Sequence, residues 1–152
     1  MTTDDFPTDK LNRILAAVET IEKSLGILAS KQQLTREEYR SDIETQDIVE
    51  RRFVKMTEAS IDIAEVLAKY EQDQLPESNP KSMAILGDLG VLSEGTTEQM
   101  TQATRFRNVL SHTYGHIIDH DMVYTALQDL ERYRTFVLEV RAYLDDIDAL
   151  SD

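Results

Sequence analysis

The chain has 152 residues, 41% apolar and 30% charged, a composition that suits one compact folded domain rather than a disordered tail. Its net charge of −13, from 16 basic and 29 acidic residues, argues against binding nucleic acid over a broad basic surface and leaves room only for a small local basic site. Cysteine is absent, which excludes disulfides and thiolate metal sites.

No apolar run approaches bilayer length, so no membrane association is expected. The opening "MTTDDFPTDK" is acidic and polar, without the apolar stretch of a signal peptide, and a cytoplasmic location is expected. Only six of the basic residues are lysine. Such an acidic surface is ordinarily a solvated one, and it would also suit a salty cytoplasm, where ions screen self-repulsion.

Residues 1–7 are expected to be a flexible start. "TDKLNRILAAVETIEKSLGILASKQQ" follows, with Leu11, Ile14, Leu15, Val18, Ile21, Leu25 and Leu28 on one helical stripe and Thr8 as the expected N-cap. Thr35 and Glu38 form a capping-box pattern that predicts a short helical turn. A long helix is predicted from about Asp42 to Asp73, burying Val49, Phe53, Met56, Ile63, Val66, Leu67 and Tyr70. Pro76 and Pro80 end it.

"PKSMAILGDLGVL" predicts a short helix loosened at its end by Gly87 and Gly90. Ser93 or Thr96 starts another helix, running to about His112, with Phe106, Val109 and Leu110 expected to face the core. A last helix is predicted from about Asp119 to Ile147, with Val123, Leu127, Leu130, Val137, Val140, Leu144 and Ile147 inward. No strand-like alternation occurs. The fold class is therefore all-α, an antiparallel helical bundle filling a single domain over 1–152, and a homodimer would cover any apolar strip left open.

"RFRNVLSHTYGH", Arg105 to His116, gathers unusual chemistry at one helix end. Asn108 and His112 are four apart and share a side of the helix, with Ser111 close to both. Arg107 and His112 are five apart, roughly 140° around an ideal helix. They meet only if the Arg side chain wraps round, the helix tightens, or a second chain supplies one of them. His takes and gives protons near neutrality, and Arg grips phosphate oxygens in a fork. Together they suit metal-independent RNA cleavage, with Arg107 stabilising the phosphorane-like charge and His112 as acid or base. The same residues also fit a plainer reading, a histidine capping helix carbonyls and an arginine paired with a carboxylate.

Around "RNVLSHTY" the sequence resembles the HepT-like toxins of the HEPN superfamily, whose hallmark is Arg, four residues, His, one residue, Tyr: here Arg107, His112 and Tyr114. Asn108 fills the frequent polar position after the Arg. "TQDIVERRF", "PKSMAILGDLGVLSEGTTEQM" and "IDHDMVYTALQDLERY" resemble other helices of the family, so the likeness runs over most of the chain from Leu11. The connector after Tyr114 is about one residue longer than usual, which bears on where Tyr114 sits.

The resemblance implies a helical homodimer with the motif in a cleft at the subunit interface. It also implies a metal-independent ribonuclease toxin paired with a minimal nucleotidyltransferase antitoxin, which can transfer AMP to the motif tyrosine, Tyr114. Arg107 and His112 would be catalytic, with Asn108, Ser111 and Arg105 binding or orienting RNA. No cofactor or metal is expected. The alternatives are a non-catalytic helical module that binds nucleotide or RNA in the same pocket, and a structural dimerisation module.

Outside the motif, His116 and His120 are expected as surface loop residues, or else as a second proton carrier and a phosphate contact. Arg51 and Arg52 are expected in solvent or in dimer salt bridges, Glu37 and Glu38 as helix-start charges, and Tyr124, Tyr133 and Tyr143 in packing.

Overall fold

The computed structural model describes residues 6–72, 79–111 and 118–150. Among them are seven helices and no strand: α1 (Thr8–Ala29), α2 (Arg36–Arg40), α3 (Ile43–Gln72), α4 (Asn79–Asp88), α5 (Glu94–Ser111), α6 (His120–Leu127) and α7 (Glu131–Asp146). No described helix is long and apolar enough to cross a membrane.

The spine of the bundle is the pair α1 and α3. They run antiparallel, since Phe6 stacks on Tyr70 with ring centroids 4.4 Å apart while Arg13 pairs with Asp62 further along. The stripe read from α1 is buried at Ile14, Val18, Ile21, Leu25 and Leu28, but Leu15 is exposed on its outer edge. Helix α1 begins at Thr8 itself, so Pro7 is the N-cap and makes no side-chain cap bond. Proline presets the φ that a helix start needs. Phe6 and Pro7, expected in a flexible start, are therefore fixed, because the Phe6 ring is buried against α3.

Helix α2 carries the capping box read from the sequence, with Thr35 Oγ1 accepting from the Glu38 N–H and Glu38 accepting from the Thr35 N–H. Asp42 then starts α3 by accepting from the backbone N–H and hydroxyl of Thr45. Helix α4 ends in a Schellman closure: the Val91 N–H donates to Leu86 O, and the Gly90 N–H to Gly87 O. Gly90 has φ +79°, a conformation that favours glycine. Gly87 serves packing: a Cβ there would lie 2.6 Å from Thr97 Oγ1 on α5. Helices α4 and α5 approach closely for that reason.

The predicted last helix is two helices. Helix α6 stops at Leu127, and α7 starts at Glu131. The break is held by two amide side chains. Gln32 Nε2 donates to Leu127 O, and Gln128 Nε2 donates to Gln32 O, both at 2.9 Å. Both contacts join residues far apart in the chain, and the apolar period alone could not reveal them. Leu130 stays in the core across the break. Helix α7 runs antiparallel to α5, since Glu139 meets Ser93 and Thr96 while Arg132 reaches Gln99 O.

The core centres on Phe53, whose ring meets Phe106 edge-on at 5.4 Å and Tyr133 at 6.5 Å. Tyr133 is fully buried, and its hydroxyl shares a 2.6 Å hydrogen bond with that of Thr57. Tyr124 and Tyr143 pack partly buried on the same core.

Candidate functional site

Helix α5 delivers the motif to the bundle surface. Its start is fixed by Ser93, whose hydroxyl accepts from the Thr96 N–H. Glu139 of α7 accepts from the Ser93 N–H and the Thr96 hydroxyl, both at 2.8 Å. From there the helix runs to Ser111. Phe106 and Leu110 anchor its last turns on the core. Val109, expected to face inward, is 50% exposed, because Phe106 and Leu110 already fill the inner side of that turn.

Arg107 leans across to α3. Its Nη2 donates to Glu58 Oε2, and its Nη1 donates to Asn108 Oδ1 at 3.1 Å. The Arg107 side chain is 16% exposed, against 49% for Glu58. Arg107 Nε is buried without a hydrogen-bond partner among the described residues. The motif arginine is thus a fixed, largely desolvated cation at the α3–α5 junction. This is also the carboxylate pairing that the plainer sequence reading anticipates.

Beside it lies a cleft of about 490 Å³. Helix α3 lines it with Asp47, Glu50, Arg51, Val54, Lys55 and Glu58, and α5 lines it with Leu110 and Ser111. Ser111 lines this cleft, and Asn108 is tied to Arg107 itself. Arg105 is exposed and makes no hydrogen bond or ion pair with the described residues. His112 and Tyr114, the other two motif residues, lie outside the described residues, as does His116.

Helix α6 approaches the cleft-lining Glu50 through His120. Asp119 caps that helix through Asp121 N–H and Met122 N–H. His120, expected in a surface loop, is instead the first residue of α6, with Nδ1 3.6 Å from Glu50 Oε2. Burial pushes the Glu50 carboxyl above its ordinary range; His120 opposes this and Asp47 adds to it. The Tyr39 ring stands edge-on to His120 at 6.3 Å. Burial, then the nearby Glu50 and Asp47, raises the Tyr39 phenol so that it stays neutral. Helix α6 is also held by Arg40, whose two hydrogen bonds to Asp121 lower that carboxyl.

Sequence reasoning did not pick out Glu50, Lys55 and Glu58. Each is an ordinary charged residue on a long helix, and nothing local marks it as facing a motif about 50 residues away. Arg51 was marked, and it is exposed at the cleft wall.

Comparison with known proteins gives the family and the fold. The family model described as ribonuclease HepT-like matches residues 14–140. The tRNA nuclease HepT of Aphanizomenon flos-aquae is 26% identical over 136 residues, covering 89% of this chain and 92% of that protein. The mRNA nuclease HepT of Shewanella oneidensis is 23% identical over 105 residues, covering 69% and 79%. Several solved structures share the fold. One is the tri-AMPylated Shewanella oneidensis HEPN toxin in complex with MNT antitoxin, at TM-score 0.77, 22% identity and coverage of 86% and 97%. Another is YutE, a cytosolic protein of unknown function from Bacillus subtilis, at TM-score 0.76, 18% identity and coverage of 93% and 94%. With the family model spanning most of its length, motif helix included, this chain belongs to the HepT-like ribonuclease family.

Proposed function

We propose that this protein is the toxin of a toxin–antitoxin pair and an endoribonuclease that cleaves RNA without a metal ion. The observation that carries the reading is Arg107, tied to Glu58 and carried on a helix whose next turn lines a cleft of about 490 Å³. The family match covers the positions of Arg107, His112 and Tyr114 together. The names of the two curated relatives, both HepT nucleases acting on RNA, support the substrate class.

In this reading the ribose 2′-hydroxyl attacks the adjacent phosphate and the 5′-oxygen leaves. His112 takes the proton from the attacking hydroxyl or gives one to the leaving oxygen. Arg107 offers forked N–H donors to the phosphate oxygens as charge builds on them. Asn108 orients Arg107, Ser111 and Arg105 contact the RNA, and the cleft is completed by a second copy of the chain. The partner is a minimal nucleotidyltransferase, which silences the enzyme by placing AMP on Tyr114. The added bulk and negative charge beside the arginine would exclude an RNA phosphate. The antitoxin complex of the Shewanella toxin supports that choice of partner.

The test is direct. Protein purified without its partner, with intact mass verified, is incubated with RNA and EDTA beside His112→Ala of equal fold. Cleavage by the first and not the second is expected. Cleavage that survives His112→Ala, or that needs a divalent ion, discards the mechanism. RNA binding without cleavage in both would favour a non-catalytic binding module.

A further inference from the structure

We propose that Glu58 is a positioning residue for the motif arginine: it holds the Arg107 guanidinium across the α3–α5 junction, ready to receive a phosphate. The inference rests on the ribonuclease reading for its effect on catalysis, and on the geometry alone for its effect on Arg107.

A guanidinium has five N–H donors, one on Nε and two on each Nη. In this protein one Nη2 donor goes to Glu58 and one Nη1 donor to Asn108. Nε is buried. Among the described residues neither Nη has a second acceptor, which leaves one N–H on each for oxygens such as those of a phosphate. Asn108 is the next residue on the same helix and cannot by itself fix where a long side chain points. Glu58 can, because it stands on a different helix, on the rigid spine of the bundle. An arginine held this way has already lost the rotamer freedom that phosphate binding would otherwise cost it.

The arrangement has a second consequence of opposite sign. Glu58 is half-exposed and lines the same cleft, so its negative charge faces any phosphate brought to Arg107. Repulsion weakens ground-state binding, while orientation favours the transition state. The two effects fall on different kinetic parameters.

The experiment compares wild type, Glu58→Ala and Glu58→Gln as full-length, unmodified protein on a single-stranded RNA. Glu58→Ala is expected to lower kcat by on the order of 10- to 100-fold without raising KM. Glu58→Gln keeps an acceptor oxygen of the same reach, so it recovers most of kcat and lowers KM. A Glu58→Ala variant with kcat unchanged or raised would overturn the proposal and make Glu58 a brake instead. So would a rise in KM alone. Arg107 Nε–H is followed by NMR in the same samples: a separate, slowly exchanging signal is expected in wild type and Glu58→Gln, collapsing to solvent-like exchange in Glu58→Ala. An unchanged signal in Glu58→Ala refutes the positioning role. Wild type that cuts no RNA refutes the ribonuclease reading, and the NMR comparison then decides the positioning role alone.

Discussion

The Tyr133–Thr57 hydroxyl pair offers the sharpest test of how the core holds α7 to α3. Both residues are fully buried, and their hydroxyls are 2.6 Å apart. Tyr133→Phe removes one hydroxyl and leaves the Thr57 oxygen without its partner. A buried polar group so orphaned costs about 1–3 kcal/mol. Thr57→Val, nearly isosteric, leaves the phenol orphaned and should cost a similar amount. The double variant replaces both groups with apolar ones, so its loss should fall well below the sum, with a coupling of about 1 kcal/mol or more. Urea unfolding followed by far-ultraviolet circular dichroism reads all four proteins. Alkaline titration adds an independent check. Burial raises the Tyr133 phenol above its ordinary value, with the Thr57 hydrogen bond opposing. The unfolded chain then releases that proton first, above pH ~10. Stability is therefore fully present below that pH and falls above it, by about 1.4 kcal/mol per pH unit for each such tyrosine. Tyr39, raised mainly by burial, contributes in the same direction. Tyr133→Phe should make the alkaline fall shallower. Single variants that each lose under about 0.5 kcal/mol and simply add in the double would refute the account.

Other outcomes follow from the same geometry. Gly87→Ala forces a Cβ to 2.6 Å from Thr97 Oγ1, which itself donates to Ser93 O at the start of α5; a loss of about 1–3 kcal/mol by urea unfolding is expected. Gln32→Ala and Gln128→Ala each remove one of the 2.9 Å amide bonds at the α6–α7 break. Each should cost about 1 kcal/mol and raise amide hydrogen exchange around residues 127–130. Val109→Asp tests the homodimer. This half-exposed residue on the motif helix should lie in the interface, so sedimentation should shift from dimer to monomer with helix content unchanged. A wild type already monomeric at micromolar concentration would remove the shared-cleft reading.

Elements whose signals are local were legible before any coordinates. The Thr35–Glu38 box and the start of α3 at Asp42 each rest on contacts within a few residues. The inward stripes of α1, α3 and α7 were legible because burial follows the helical period. What could not be read depended on residues far apart in the chain. The break at Leu127 is bound to Gln32, 95 positions earlier. Val109 turned outward because its neighbours Phe106 and Leu110 already meet the core. The candidate site divides the same way. Arg107, Asn108 and Ser111 stand together on one helix and could be found by motif. The wall opposite comes from α3, and Glu58 meets Arg107 only because two helices cross there.

The charge of the cleft bears on how such a site would capture RNA. Its walls carry Asp47, Glu50 and Glu58 against Arg51 and Lys55, and Arg107, paired with Glu58, brings the two signs level. The chain as a whole carries −13, and at physiological ionic strength charge beyond about 8 Å is largely screened. A cleft of balanced charge in an acidic protein exerts little long-range pull on a polyanion. In the proposed ribonuclease, affinity would then come from contacts made inside, where a few donors would meet the phosphate at close range. Under those conditions the orientation of one guanidinium matters more than the number of cations around it. On the proposed reading, an acidic residue, Glu58, would aid an arginine that binds an anion: its cost would be a weaker encounter, and its gain would appear only with the phosphate in place.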